Sequence, residues 1–147
     1  MTATTVSDIM RKKLETIKNS SPVQEAAKKM KDMNVSSLLV IDADDKPEGL
    51  VTERDLVLKV CINDIRASTV TNKDIMSSPL ITIDSTSAPS TAADVMLQNN
   101  VRHLLVVDRH NNAHKPIGII TPLDFARNQG YPGSKGNAIE KLLEYYI

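Results

Sequence analysis

Shifted by 66 positions, the sequence matches itself. Asp8-Ile9-Met10 falls on Asp74-Ile75-Met76, Thr16-Ile17 on Thr82-Ile83, Ala26-Ala27 on Ala92-Ala93, and Met30 on Met96. Asn34-Val35 falls on Asn100-Val101, Leu38-Leu39-Val40 on Leu104-Leu105-Val106, and Asp42 on Asp108. The second copy has a longer loop, Arg109 to His114. Beyond it the offset is 69, and Gly49, Thr52 and Asp55 meet Gly118, Thr121 and Asp124. Two copies are too few for a solenoid. Within 147 residues neither copy buries enough surface alone, so the repeat predicts a pseudo-symmetric pair packed sheet to sheet.

Each copy reads as strand, helix, strand, strand, helix. In the first, Leu14 to Lys18 is a short strand. Ser21 and Pro22 open a helix as N-cap and first helical residue, and Val23, Ala26, Ala27, Met30 and Met33 recur at helical spacing. Ser37 to Asp42 is an apolar run short enough for a buried strand. Glu48 to Val51 is the next strand and Glu53 to Ile62 the second helix. Copy two follows the same order, its first helix opened by Ser87-Ala88-Pro89. The expected fold class is α/β (α+β), with βαββα repeats over residues 7–66 and 72–128. Residues 129–147 form a tail: a glycine-rich stretch, then a helix from Ala138 to Tyr146 capped by Asn137. That helix carries Ile139, Leu142, Leu143 and Tyr146 on one side and can fold back or meet a second chain.

Composition narrows the function. Eighteen basic residues balance eighteen acidic ones, so no overall charge draws the chain to nucleic acid or an anionic membrane. The local basic clusters Arg11-Lys12-Lys13 and Lys28-Lys29-Met30-Lys31 read as solvated turns and helix faces. A lone cysteine, Cys61, fits a reducing cytosol and, in an apolar stretch, reads as a buried structural thiol. The polar N-terminus and the lack of a membrane-length apolar run predict a cytoplasmic protein. No Ser-His-Asp set, Cys-His set or Walker loop is present, which argues against an enzyme. His110 and His114 lie in a loop with no third ligand nearby, so no metal is expected.

Two segments carry chemistry: Gly49-Leu50-Val51-Thr52-Glu53-Arg54-Asp55 and Gly118-Ile119-Ile120-Thr121-Pro122-Leu123-Asp124. In each, a strand ends and a helix begins at the threonine. One reading is a capping box, threonine as N-cap with an acid three residues on. The other uses the same geometry for a ligand. Helix N–H groups and the threonine hydroxyl suit a phosphate, the aspartate suits two ribose hydroxyls, and the glycine admits a close approach to the backbone.

The repeat, the Asp-Ile-Met opening, the Asn-Val-x-x-Leu-Leu-Val-x-Asp strand and the Gly-x-x-Thr-x-x-Asp close resemble the cystathionine-β-synthase (CBS) domain family over residues 7 to 128. The resemblance implies a pseudo-twofold pair with two clefts that bind AMP, ADP, ATP or S-adenosyl compounds as regulatory ligands, with no cofactor required. Carried over, the first cleft would use Ile119, Thr121 and Asp124 with Ser21, Ala26, Val35 and Ser36. The second would use Thr52 and Asp55 with residues around Val101 and Arg102. The stretch from Val101 to Asp108 is similar to a segment of the γ subunits of AMP-activated protein kinases, which implies Arg102 and His103 facing phosphate. Copy one has Ser36 and Ser37 there, so the positive charge comes from one repeat. The resemblance further implies energy sensing, a homodimer through the helices, and a regulated protein partner. The rival readings are an RNA-binding protein using the basic clusters, and a nucleotide-processing enzyme.

Overall fold

The computed structural model describes residues 4–109, 114–128 and 138–146, with the side chains of residues 143–146 outside that description. The chain divides into a contiguous unit, Leu14–Leu80, and a composite unit, Met1–Lys13 with Ile81–Ile147. The composite unit holds α1 (Val6–Ile9), β4 (Thr82–Asp84), α5 (Pro89–Asn99), β5 (Leu104–Asp108), β6 (Lys115–Ile120), α6 (Pro122–Arg127) and α7 (Ala138–Tyr146). The contiguous unit holds β1 (Thr16–Lys18), α2 (Val23–Met33), β2 (Ser37–Ile41), β3 (Pro47–Thr52), α3 (Glu53–Asp55), a π-helical segment Leu56–Cys61, and α4 (Asn72–Ile75). None of the described helices is long and apolar enough to cross a membrane.

Both sheets have the same topology, β1-β2-β3 and β4-β5-β6. The first two strands of each are parallel, which requires the crossover helices α2 and α5. The last two form an antiparallel pair, with Leu38 opposite Val51 and Leu105 opposite Ile119. In the contiguous unit Val23, Ala26 and Met30 of α2 cover Leu38, Val40 and Val51. In the composite unit Ala92, Ala93 and Met96 of α5 join Leu104, Val106 and Ile120, together with Val6, Ile9 and Phe125. Ile139 and Leu142 are also buried in that core, so α7 folds back onto its own chain. Asn137, the glycine-rich stretch and His110 lie outside the described residues, as do the side chains of Leu143 and Tyr146.

The repeated Asn-Val pair is a helix stop. Asn34 and Asn100 adopt left-handed backbone, φ 54° and 52°. The following amides, of Val35 and Val101, donate to the Met30 and Met96 carbonyls at 3.0 Å. This is the Schellman closure, and asparagine tolerates its φ better than most residues.

Three local expectations are corrected. Helix α2 starts at Val23, with Pro22 rather than Ser21 at the N-cap and no side-chain cap. Backbone takes the cap's place: the Val23 and Gln24 amides donate to the carbonyls of Val70 and Ala67 at 2.9 and 3.0 Å. The segment expected as a helix from Glu53 to Ile62 is α-helical only over its first residues, then widens. The Ile62 and Ile65 amides reach five residues back, to Val57 and Val60, at 3.1 Å. Finally, Cys61 is exposed rather than buried. Only Val60 of that run is fully buried, while Val57, Leu58, Ile62 and Ile65 face outward. The run holds more apolar residues than one face against a three-stranded sheet can cover.

Each Asp-Ile-Met opening completes the sheet of the other repeat. The Arg11 amide donates to the Ile119 carbonyl at 2.8 Å, and the Arg11 carbonyl accepts the Ile119 amide in return at 3.0 Å, extending the β6 edge. Ser77 and Leu50 exchange the same pair at β3, 2.8 and 3.1 Å. The motif glycines serve this contact. A Cβ on Gly118 would lie 2.5 Å from the Arg11 carbonyl oxygen and 2.7 Å from the Met10 sulfur. A Cβ on Gly49 would lie 2.7 Å from the Ser77 carbonyl oxygen. The close approach read from sequence as room for a ligand is made by the protein's own backbone.

Among the described residues one buried side-chain polar atom stands unsatisfied. Asn72 is fully buried; its Nδ2 donates to the Lys18 carbonyl at 3.0 Å, but its Oδ1 has no hydrogen bond. The repeat places Val6 at the matching position, 66 residues earlier and equally buried. The Lys18 carbonyl also accepts from the Ser21 amide, so it keeps a partner without Asn72. Asn72→Val is therefore expected to raise stability by about 1 kcal/mol, read as a higher urea midpoint at unchanged slope.

Candidate functional site

Among the described residues four helix starts carry a Thr-x-x-Asp capping box, at Thr5/Asp8, Thr52/Asp55, Thr71/Asp74 and Thr121/Asp124. In every one the aspartate Oδ2 accepts the threonine amide, at 2.7, 2.9, 3.0 and 2.8 Å respectively. Capping is therefore what the motif does locally. Burial separates the boxes. Asp8 and Asp74 are exposed, whereas Asp55 and Asp124 are 6% and 3% exposed. A cap needs no such burial, and burying a carboxylate is costly. The excess cost singles out the two aspartates that follow the glycine motifs. The same spacing also occurs at Thr91 and Asp94, inside α5, where it caps nothing, so neither the boxes nor their burial follow from spacing alone.

At Asp124 the Thr121 amide and hydroxyl approach Oδ2 at 2.8 and 3.4 Å. Asn128 donates to the Asp124 backbone carbonyl at 2.6 Å, not to its carboxylate. Among the described residues no hydrogen bond reaches Oδ1. Burial pushes the Asp124 carboxyl above its ordinary value, against the lowering effect of the Thr121 bonds and the charges of Arg11 and Arg127. Arg11, which the sequence suggested was part of a solvated turn, is thus brought beside this motif by its pairing with Ile119.

The surroundings follow from register. Leu104, first in β5, pairs with Ile120, last in β6. Arg102 and His103 therefore enter the sheet at the end where Thr121 and Asp124 leave it. Ile119, buried, lies one strand residue further in. All five belong to the composite unit.

The other candidates belong to the contiguous unit. Ser36 sits beside the Thr52 turn, its carbonyl accepting the Glu53 amide at 3.0 Å. Ala26 and Val35 are buried in that unit's own core, and Ser21 lies half-buried in the turn before α2. Asp55 is held on both oxygens: Oδ2 by Thr52, and Oδ1 by the Ser77 hydroxyl at 3.2 Å and Lys59 Nζ at 3.1 Å. No group of three or more metal-ligating side chains occurs among the described residues.

Comparison with known proteins agrees with this architecture. The model of the CBS domain matches residues 6–61 and 73–130. An uncharacterized protein of Methanopyrus kandleri is 31% identical over 131 residues, 89% of this chain, and the chain spans 65% of that relative's length. The crystal structure of a conserved protein from Pyrococcus horikoshii shares 28% identity at a TM-score of 0.75, covering 84% of this chain and 89% of that one. A hexameric CBS-CP12 protein from bloom-forming cyanobacteria shares 26% identity at a TM-score of 0.77, covering 87% and 69%. With both repeats matched by the family model, the chain belongs to the CBS-domain family, which it carries as a tandem pair.

Proposed function

We propose that this chain is a regulatory module that binds an adenosine phosphate (AMP, ADP or ATP) at the Asp124 motif. Tandem CBS domains are in general regulatory modules, and no catalytic step is assigned to this one. The observation that carries the reading is Asp124 itself: a buried carboxylate capped through one oxygen, with no hydrogen bond from the described residues on the other. A ribose offers two adjacent hydroxyls, which suit such an acceptor. Arg102 and His103 at the same sheet end supply the chemistry for phosphate, and the Arg11 charge adds to it. Ligand binding then acts by mass action, favouring whichever conformation or assembly binds it better. Calorimetric titration with AMP, ADP, ATP and adenosine tests this. The three nucleotides should bind, and adenosine should bind more weakly. An Arg102→Ala variant should lose the nucleotides' advantage over adenosine. Binding to RNA that falls steeply with salt, with no nucleotide binding, would favour the rival reading.

A second copy of the chain is the partner we assign to the apolar face of the contiguous unit. Val57 and Ile62 are 52% and 66% exposed, beside outward-facing Leu58, Cys61 and Ile65. Such a cluster is unusual on a monomer, and twofold contact is the commonest way to cover it. The hexameric state of the cyanobacterial relative shows that a protein of this family self-associates. Light scattering after size exclusion should give a dimer mass for the wild type, and Ile62→Asp should shift it to the monomer. A monomeric wild type would refute the assignment.

A further inference from the structure

The two buried motif aspartates are not equivalent, and the difference is made by side chains of the chain itself. In the contiguous unit Lys59 lies one helical turn beyond Asp55, its Nζ 3.1 Å from Asp55 Oδ1. The same ammonium donates to the Ile75 carbonyl at 2.8 Å, which anchors it from a second side. The Ser77 hydroxyl completes the set at 3.2 Å. At the repeat-related positions the composite unit has Asn128 for Lys59 and Arg11 for Ser77, offsets of 69 and 66. Asn128 turns to the backbone, and Arg11 acts on Asp124 by charge without a hydrogen bond.

We infer that Lys59 is a built-in occupant of the Asp55 carboxylate, so that the contiguous unit takes no ribose and the chain binds a single nucleotide, at Asp124. The inference rests on the proposed nucleotide reading and assigns the stoichiometry and the residue that sets it. The chemistry is competition for one acceptor. A ribose hydroxyl reaching Asp55 Oδ1 would have to replace a charge-assisted bond with a neutral one, in a position where the ammonium is already held by a backbone carbonyl. The displaced cation would lose its carboxylate partner. At Asp124 no such displacement is required. Burial is nearly the same at the two sites, so it is the partner on Oδ1 that separates them.

The test is the number of ATP molecules bound per chain, measured by calorimetry and equilibrium dialysis on the full chain. The wild type should bind one, and Asp124→Asn none. Lys59→Met, which removes the ammonium and keeps the aliphatic stem, should bind two. The double variant Lys59→Met/Asp124→Asn should bind one, at the newly opened position. Lys59→Arg restores a cation and should return the count to one, which guards against a merely structural effect; a melting curve for each variant accompanies the titration. A wild type that binds two, with Asp124→Asn retaining one, would overturn the inference while leaving the nucleotide reading intact. A Lys59→Met protein that melts normally and still binds only one would overturn the role of Lys59. Absence of ATP binding in every variant would bring down the nucleotide reading and this inference with it.

Discussion

Replacing Asp124 by alanine is expected to lower affinity for ATP roughly a hundredfold, the value of about 3 kcal/mol for two hydrogen bonds to a charged acceptor. The fold should survive. Alanine forfeits the cap on α6, about 1 kcal/mol, but it also removes a carboxylate that burial disfavours. Asp124→Asn separates the two effects, because an amide oxygen can still accept the Thr121 amide. The sign of its pH dependence follows from the raised carboxyl. A folded-state value above the unfolded one means that the protonated aspartate supports the fold at low pH. That support is lost as pH rises through the raised value. The asparagine variant has no such dependence. Relative to the wild type it should be more stable at neutral pH than in acid, a trend that urea midpoints across the acid range would reveal. Wild-type ATP affinity should move the other way, falling as acid protonates the acceptor. Unchanged affinity in both variants would mean that Asp124 only caps its helix.

The second large effect is structural. Gly118→Ala is expected to destabilise the protein by about 2–3 kcal/mol. The new methyl would be driven against the Arg11 carbonyl at 2.5 Å and the Met10 sulfur at 2.7 Å. The thioether can rotate away; the carbonyl cannot without breaking its exchange of hydrogen bonds with Ile119. A fall in melting temperature of roughly 6–10 °C would be expected. Gly49→Ala should cost less, since its nearest atom, the Ser77 carbonyl oxygen, lies at 2.7 Å. A Gly118→Ala protein that melts with the wild type would show that the Met10–Arg11 segment does not hold the β6 edge.

Much of this was legible in the residues. The internal match located both sheets, both crossover helices and both buried aspartates, because strand and helix periodicities survive in each copy. The Asn-Val pair was visible as a repeat, although its work as a left-handed helix stop was not. What a repeat cannot state is which copy each segment serves. Asp8-Ile9-Met10 resembles Asp74-Ile75-Met76 whichever sheet either one joins, and only the Arg11–Ile119 and Ser77–Leu50 pairings reveal the exchange. The glycines were misread for the same reason: the atom filling their space comes from a segment far away in sequence. Cys61 was misplaced because an apolar run records how much of a helix is greasy, not how much a small sheet can cover. Lys59 gave no signal as an ordinary lysine four residues beyond an aspartate, and it gained significance only once Ser77 and the Ile75 carbonyl were found around it.

The split of the composite unit also sets an order of birth. As the chain leaves the ribosome, Leu14–Leu80 emerges with every strand and helix of its unit and can close at once. Arg11 has emerged earlier still, yet its partner Ile119 is made only after the whole of that unit. The Arg11 segment must therefore wait for this partner through the making of an entire neighbour. Strand β6 captures a segment made some 108 residues before it, a long-range closure that should make the composite unit the slower of the two to fold. A clip between Arg11 and Leu14 would accordingly be felt at β6, while the contiguous unit next to it in sequence stays whole.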